Sequence, residues 1–195
     1  PWYVPSDIVP YGMLGVAFST QLGTREKAHF DQGHLVPAGD FFTPFDKHTT
    51  FLVINRAPQV WRYNQIQWRC VEIILRKVAK DLGPQMIITK LEFEANPKRE
   101  REQSGGYATA IPKSFNKIVY SAGETIDVYV SAFCITQTNE GSDAAQLPVI
   151  KSWEDCSPDL KNGLPAPREP LNTWKKFKNN FSRILMKMKR NSHVL

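Results

Sequence analysis

A histidine held within Asp31-Gln32-Gly33-His34, followed by Asn55-Arg56-Ala57-Pro58-Gln59 and then by Asn64, Glu72 and Arg76, carries most of the chemical potential of this 195-residue chain. A neutral imidazole can take a proton from water. A carboxamide oxygen can hold a hydrated magnesium ion without quenching its charge as a carboxylate would. A carboxylate can accept hydrogen bonds from the metal's waters, and a guanidinium can meet a phosphate with its fork of donors. His34, Asn64, Glu72 and Arg76 are the candidates for these four roles. Together they would equip a site for one-metal hydrolysis of a phosphodiester.

Such a site needs elements to position it. Asn64, Trp68, Glu72 and Arg76 follow one another at intervals of four, so a helix places all four on one face. The apolar positions Val71, Ile74, Leu75, Val78 and Leu82 predict that helix from Tyr63 to Asp81, and Gly83-Pro84 stops it. Pro37, Gly39 and Pro44 exclude a long helix over 25–50, which leaves His34 in a glycine turn. Phe51-Leu52-Val53-Ile54 predicts a strand buried on both faces, whose end delivers Asn55. Further strands are expected at Met13–Phe18, Met86–Phe93, Lys117–Tyr120 and Thr125–Thr136, with the charged segment 96–102 as a solvated loop.

Beyond residue 138 the character changes. Residues 139–170 hold five prolines and little periodicity, which predicts an extended surface arm. From Asn172 a last helix would carry Trp174, Phe177, Phe181, Ile184, Leu185 and Met188 on one side, with Lys175, Lys176, Lys178, Arg183 and Lys187 on the other. That basic side suits a phosphate backbone, a membrane surface or an acidic partner, and equally a solvated face over a packed apolar one. The expected fold class is α+β, with a central antiparallel sheet and flanking helices. Residues 1–138 form the site-bearing domain, and 139–195 form an arm and basic helix packed on it.

Composition bounds the function. An apolar fraction of 42% is that of a globular domain with a sizeable core. No run of eighteen apolar residues is present, so no helical membrane span is expected. Twenty-five Lys and Arg against 19 Asp and Glu give a net charge of +6, a mild bias toward polyanionic partners. The N-terminus lacks a signal-peptide pattern, and a first residue of Pro1 suggests a processed chain. Without a Cys-x-x-Cys pair, a structural zinc is not expected. Cys134 and Cys156 could close a loop of about 21 residues, worth on the order of 3 kcal/mol, or all three cysteines could be buried thiols. Asn180-Phe181-Ser182 is a glycosylation sequon and leans toward a secretory route.

Singly, each position has an ordinary reading. Glu72 and Arg76 also fit a surface ion pair at i,i+4, His34 a structural histidine, and Asn64 a helix cap. In combination, the order Asp-x-Gly-His, Pro-Ala-x-Asp-Phe, Asn-x-Ala-Pro-Gln, then Asn, Trp and Glu resembles the DNA/RNA non-specific endonuclease family of ββα-metal nucleases. The likeness is dense from Phe30 to Arg76, thinner over Ile111–Tyr120, and fades beyond 138.

That resemblance implies endonucleolytic cleavage of DNA, RNA or both with little sequence preference, giving 5′-phosphate ends and using one Mg2+. His34 matches the general base, Asn64 the direct metal ligand, Glu72 the carboxylate that orders the metal's waters, and Arg76 the phosphate contact. Asp31, Gln32, Asn55 and Gln59 match supporting positions. Several positions depart from the pattern. Gln32 stands where most members have Arg, no arginine precedes Arg25, and Thr89-Lys90 replaces a Thr-Gly pair. Those losses keep open a second reading, a catalytically weakened homologue that binds nucleic acid or serves a structural or assembly role. Insect members carry a long N-terminal region that this chain lacks, so a cleaved fragment or a shortened homologue is expected, and a separate N-terminal fragment or a second copy of the chain is a candidate partner. The expected location is secreted or within the secretory pathway, with a mitochondrial or other intracellular site as the alternative.

Overall fold

The computed structural model describes residues 30–101, 108–122, 129–139 and 147–168, together with Lys178 and Arg183. The expected strand Met13–Phe18, residues 125–128 of a second strand, and nearly all of the basic C-terminal helix lie outside the described residues. Lys178 and Arg183 are both helical and exposed.

In chain order the elements are β1 (Phe30–His34), α1 (Pro44–Thr49), β2 (Arg56–Val60), α2 (Arg69–Leu82), β3 (Gln85–Glu92), β4 (Arg99–Arg101), β5 (Ala108–Ala110), β6 (Ser114–Ala122), β7 (Tyr129–Thr138), β8 (Val149–Ser152) and α3 (Pro158–Lys161). Short 3-10 turns at Ala38–Asp40 and Val53–Asn55 flank α1, and a π-helical stretch, Tyr63–Trp68, leads into α2. The fold is α+β.

The chain divides into two compact units. The first comprises Pro1–Gln65, Leu91–Phe115 and Thr138–Gln146, the second Ile66–Lys90, Asn116–Gln137 and Leu147–Leu195.

In the first unit, β1 and β2 pair antiparallel, from Phe30 opposite Val60 to His34 opposite Arg56. Between them, α1 begins at Thr43, whose hydroxyl accepts from the Asp46 N–H at 3.1 Å, and Pro44 takes the first helical position, where a missing N–H costs nothing. The expected buried strand over Phe51–Ile54 is not formed. This stretch bends into the 3-10 turn, leaving Ile54 73% exposed, and the buried strand starts two residues later, at Arg56. Apolar content alone does not separate a strand from a turn whose backbone is tied down by a neighbouring side chain, here Asn55. The charged segment 96–102 is likewise not all loop: Arg99–Arg101 pairs antiparallel with Ala108–Ala110.

Helical turns continue without a break from residue 61 to 82. In the second unit, α2 buries Val71, Ile74, Leu75 and Val78 as their spacing requires. It ends at Gly83, where φ of 90° suits glycine, with the Gly83 N–H donating to the Ala79 carbonyl at 3.1 Å.

A four-stranded sheet runs in the order β3-β6-β7-β8, with β7 and β8 antiparallel. Its core joins Ile118, Tyr120, Ala132, Cys134, Trp153, Cys156 and Leu160, with Met86, Ile88 and Leu164 packed against it. Cys134 and Cys156 are disulfide-bonded with Cα atoms 6.1 Å apart, while Cys70 is a buried free thiol. Residues 147–161 are therefore not the irregular arm that the prolines suggest. Val149–Ser152 is an edge strand, where one face stays exposed and the hydrophobic pattern is weak, and Pro158 opens a helix rather than breaking one.

Lys90 donates to the carbonyls of Leu160 and Asn162 at 3.0 and 2.9 Å, closing the end of α3, and the Tyr120 hydroxyl donates to the Pro165 carbonyl at 2.9 Å.

Candidate active site

His34 is the last residue of β1, half-buried, with its ring edge-on to Phe51 at 5.2 Å between centroids. Burial pushes its imidazole below the ordinary value of 6.5. The ring is thus held in its neutral form at neutral pH, the form a general base must have.

The turn before it is shaped by a close approach. A Cβ on Gly33 would lie 2.8 Å from the Gln59 Cβ and collide with its Oε1. Glycine is required here by space rather than by an unusual φ. Gln59 is fully buried, and among the described residues its carboxamide makes no hydrogen bond, so it acts on this turn by filling volume.

Asn55 fixes the chain just beyond His34. Its Nδ2 donates to the carbonyls of Val36 and Thr50, both at 2.8 Å, and its Oδ1 accepts from the Val36 N–H at 3.0 Å. The Asn55 carbonyl also accepts from the Leu35 N–H at 3.0 Å. One side chain therefore ties the segment after β1 to the end of α1.

Asp31 lies three residues before His34. Its Oδ2 accepts from Nδ2 of Asn64 and from Nε2 of Gln65, both at 3.0 Å. Gln32, half-buried, faces Pro58 in the strand register. The first unit thus brings Asp31 into direct contact with Asn64, and Gly33 against Gln59.

Glu72 and Arg76 belong to the second unit, half-buried and one turn apart on α2. The next turn carries an exposed ion pair, Lys77 with Asp81 at 3.1 Å. Trp68 is fully buried, with the Lys117 ammonium 5.2 Å from its ring centroid, and that ammonium also donates to the Thr89 hydroxyl at 3.1 Å. Trp68 and Thr89 are thereby accounted for as packing and support.

Sequence reasoning missed Asn139. It is 3% exposed, and its carboxamide accepts from the Val60 N–H at 2.8 Å while donating to the carbonyls of Pro58 and Pro112 at 3.0 and 2.9 Å. It holds β2, and with it the register of β1. Nothing in the spacing marks it, because its partners lie far away in the chain. Lys117 was equally hidden, since lysine in a strand reads as a solvent-facing residue.

Among the described residues no three His, Cys, Asp or Glu side chains gather to form a metal cage. Beside Asp31 lie the carboxamides of Asn64 and Gln65, each with one neutral oxygen. Magnesium retains most of its own waters and needs few protein ligands, so this donor set fits a hydrated magnesium and does not fit zinc.

A family model described as DNA/RNA non-specific endonuclease matches residues 9–156. Among solved structures, one described as the crystal structure of the EndoG/EndoGI complex is similar, at 22% identity and a TM-score of 0.47, covering 64% of this chain and 55% of that one. The chain spans little more than half the length of that structure. No match was found among curated proteins.

Proposed function

The chain belongs to the DNA/RNA non-specific endonuclease family, and on that premise we propose that it is a magnesium-dependent endonuclease hydrolysing the phosphodiester backbone of DNA, RNA or both. The observation that carries this reading is the strand β1 itself. It presents a half-buried histidine held neutral by burial, three residues after the carboxylate that touches Asn64.

In this reading His34 takes the proton from the attacking water, and burial lets it do so near neutral pH. Asn64 would hold Mg2+, which when bound supplies Lewis acidity at the phosphate and at the leaving oxygen. Glu72 would accept hydrogen bonds from the waters of that ion. Arg76, with donors in a fixed fork, stabilises phosphate charge that grows toward the transition state. Asn55 and Gln59 keep the histidine turn in place. Contacts of this kind read phosphate and sugar rather than base edges, which supports weak sequence preference.

The Cys134–Cys156 disulfide supports folding in an oxidising compartment, and so a secretory or secreted location.

The decisive experiment incubates plasmid DNA and double-stranded RNA with the chain, with Mg2+ or with a chelator, beside His34→Ala and Arg76→Ala. Magnesium-dependent cleavage is expected, lost by about 10²- to 10⁴-fold in His34→Ala. Cleavage indifferent to chelator, or a His34→Ala protein as active as its parent, overturns the assignment.

A second reading, a homologue that has lost efficient turnover and binds nucleic acid or scaffolds an assembly, is favoured by Gln32, where an amide stands in place of a cation. Gln32→Arg should raise cleavage if the site is otherwise competent. A wild type and a Gln32→Arg variant that both bind nucleic acid without cutting it would favour the second reading.

A further inference from the structure

A carboxamide offers a metal only one useful atom, so its orientation decides whether it can ligate at all. In this protein the orientation of Asn64 is set by a partner 33 residues away. Oδ2 of Asp31 lies 3.0 Å from Asn64 Nδ2. A carboxylate only accepts hydrogen bonds, so the amide must turn its NH2 group toward Asp31 and its Oδ1 away. The reversed amide would set two acceptors against each other at the same distance and lose the bond.

The same Oδ2 accepts from Nε2 of Gln65 at 3.0 Å. Neighbouring side chains on an α-helix diverge by about 100°, yet here two consecutive residues converge on one oxygen. They do so within the π-helical stretch Tyr63–Trp68, a local widening of the kind that recurs at functional sites. Gln65 thus holds the carboxylate that holds Asn64.

We propose that Asp31, braced by Gln65, is a positioning residue that turns the Asn64 carboxamide so that its oxygen is presented to a divalent cation. The inference rests on the reading of Asn64 as the metal ligand. It assigns Asp31 no direct contact with the ion. Outer partners of metal ligands commonly change affinity by about 10- to 100-fold when removed.

The test is calorimetric titration of the whole chain, free of nucleic acid, with Mg2+ and with the tighter-binding Mn2+. Wild type, Asp31→Ala, Asp31→Asn, Asn64→Ala and the double variant Asp31→Ala/Asn64→Ala are compared, each checked for an unchanged thermal unfolding midpoint. Affinity is expected to fall about tenfold in Asp31→Ala and by less in Asp31→Asn, which keeps an acceptor for the Asn64 amide. The double variant should bind as Asn64→Ala does, because Asp31 acts through Asn64.

An Asp31→Ala protein that binds as wild type overturns the proposal and leaves the metal reading standing. A double variant that falls well below Asn64→Ala also overturns it, since Asp31 would then act on the ion independently. A wild-type chain that takes up neither cation overturns the metal reading, and this inference with it.

Discussion

The side chain of Gln59 occupies the space that a Cβ on Gly33 would need, with 2.8 Å between that position and the Gln59 Cβ. The histidine turn is therefore moulded against the neighbouring strand, and changes on either side of this contact should be strongly coupled. Gly33→Ala should lose about 1–3 kcal/mol of stability through overpacking and displace His34, so cleavage falls as well. Gln59→Gly removes that Cβ with the rest of the side chain, so the double variant Gly33→Ala/Gln59→Gly should be more stable than the sum of the single changes allows. Denaturant unfolding of the three variants checks this, and strict additivity would contradict it.

The pH profile should report His34. Burial holds its imidazole below 6.5, so the neutral base persists to lower pH than in a free histidine. The acid limb of kcat/KM, rising as His34 loses its proton, should have its midpoint below 6.5. Phe51 lies edge-on to the ring at 5.2 Å and helps to exclude water. Phe51→Ala should move that midpoint upward toward 6.5. A midpoint that stays in place would mean that Phe51 does not contribute to the burial of the base.

Asn55 makes three side-chain hydrogen bonds, to Val36 N–H, Val36 carbonyl and Thr50 carbonyl. At about 1 kcal/mol each, Asn55→Ala should cost roughly 2–3 kcal/mol. For a protein of this size that is several degrees in the thermal midpoint, at about 2–4 °C per kcal/mol. Asn55→Asp keeps the acceptor but sets a carboxylate oxygen against the Val36 and Thr50 carbonyls, so it should be no more stable than Asn55→Ala. Calorimetry distinguishes this from a surface asparagine, whose loss would leave the midpoint unchanged.

The disulfide closes a loop between positions 22 residues apart. Cys134→Ala/Cys156→Ala should lower stability by about 3 kcal/mol in the chain-entropy account. The loss should be seen equally when the wild type is unfolded under reducing conditions. Equal stability with and without reductant would show that the cross-link contributes nothing.

What the sequence alone determined follows from local rules. The 3.6-residue period of Val71, Ile74, Leu75 and Val78 specified a helix and its buried face, and Gly83-Pro84 specified its end. The ordered blocks from Asp31 to Arg76 specified the family, since their residue types and spacings are written along the chain. Other features depend on partners remote in sequence. Phe51–Ile54 is apolar enough for a buried strand, yet Asn55 bonds back to Val36 and Thr50 and makes a turn of it. Residues 149–152 lack periodicity because an edge strand buries little, and only pairing with β7 makes them a strand. The sequence left open whether Cys134 and Cys156 pair or remain thiols, and folding decided it by bringing their Cα atoms to 6.1 Å. Asn139 and Asp31 belong to the same class. Each directs hydrogen bonds at groups dozens of residues away, and the meaning of a polar side chain at such a distance is fixed by what folding brings within 3 Å of it.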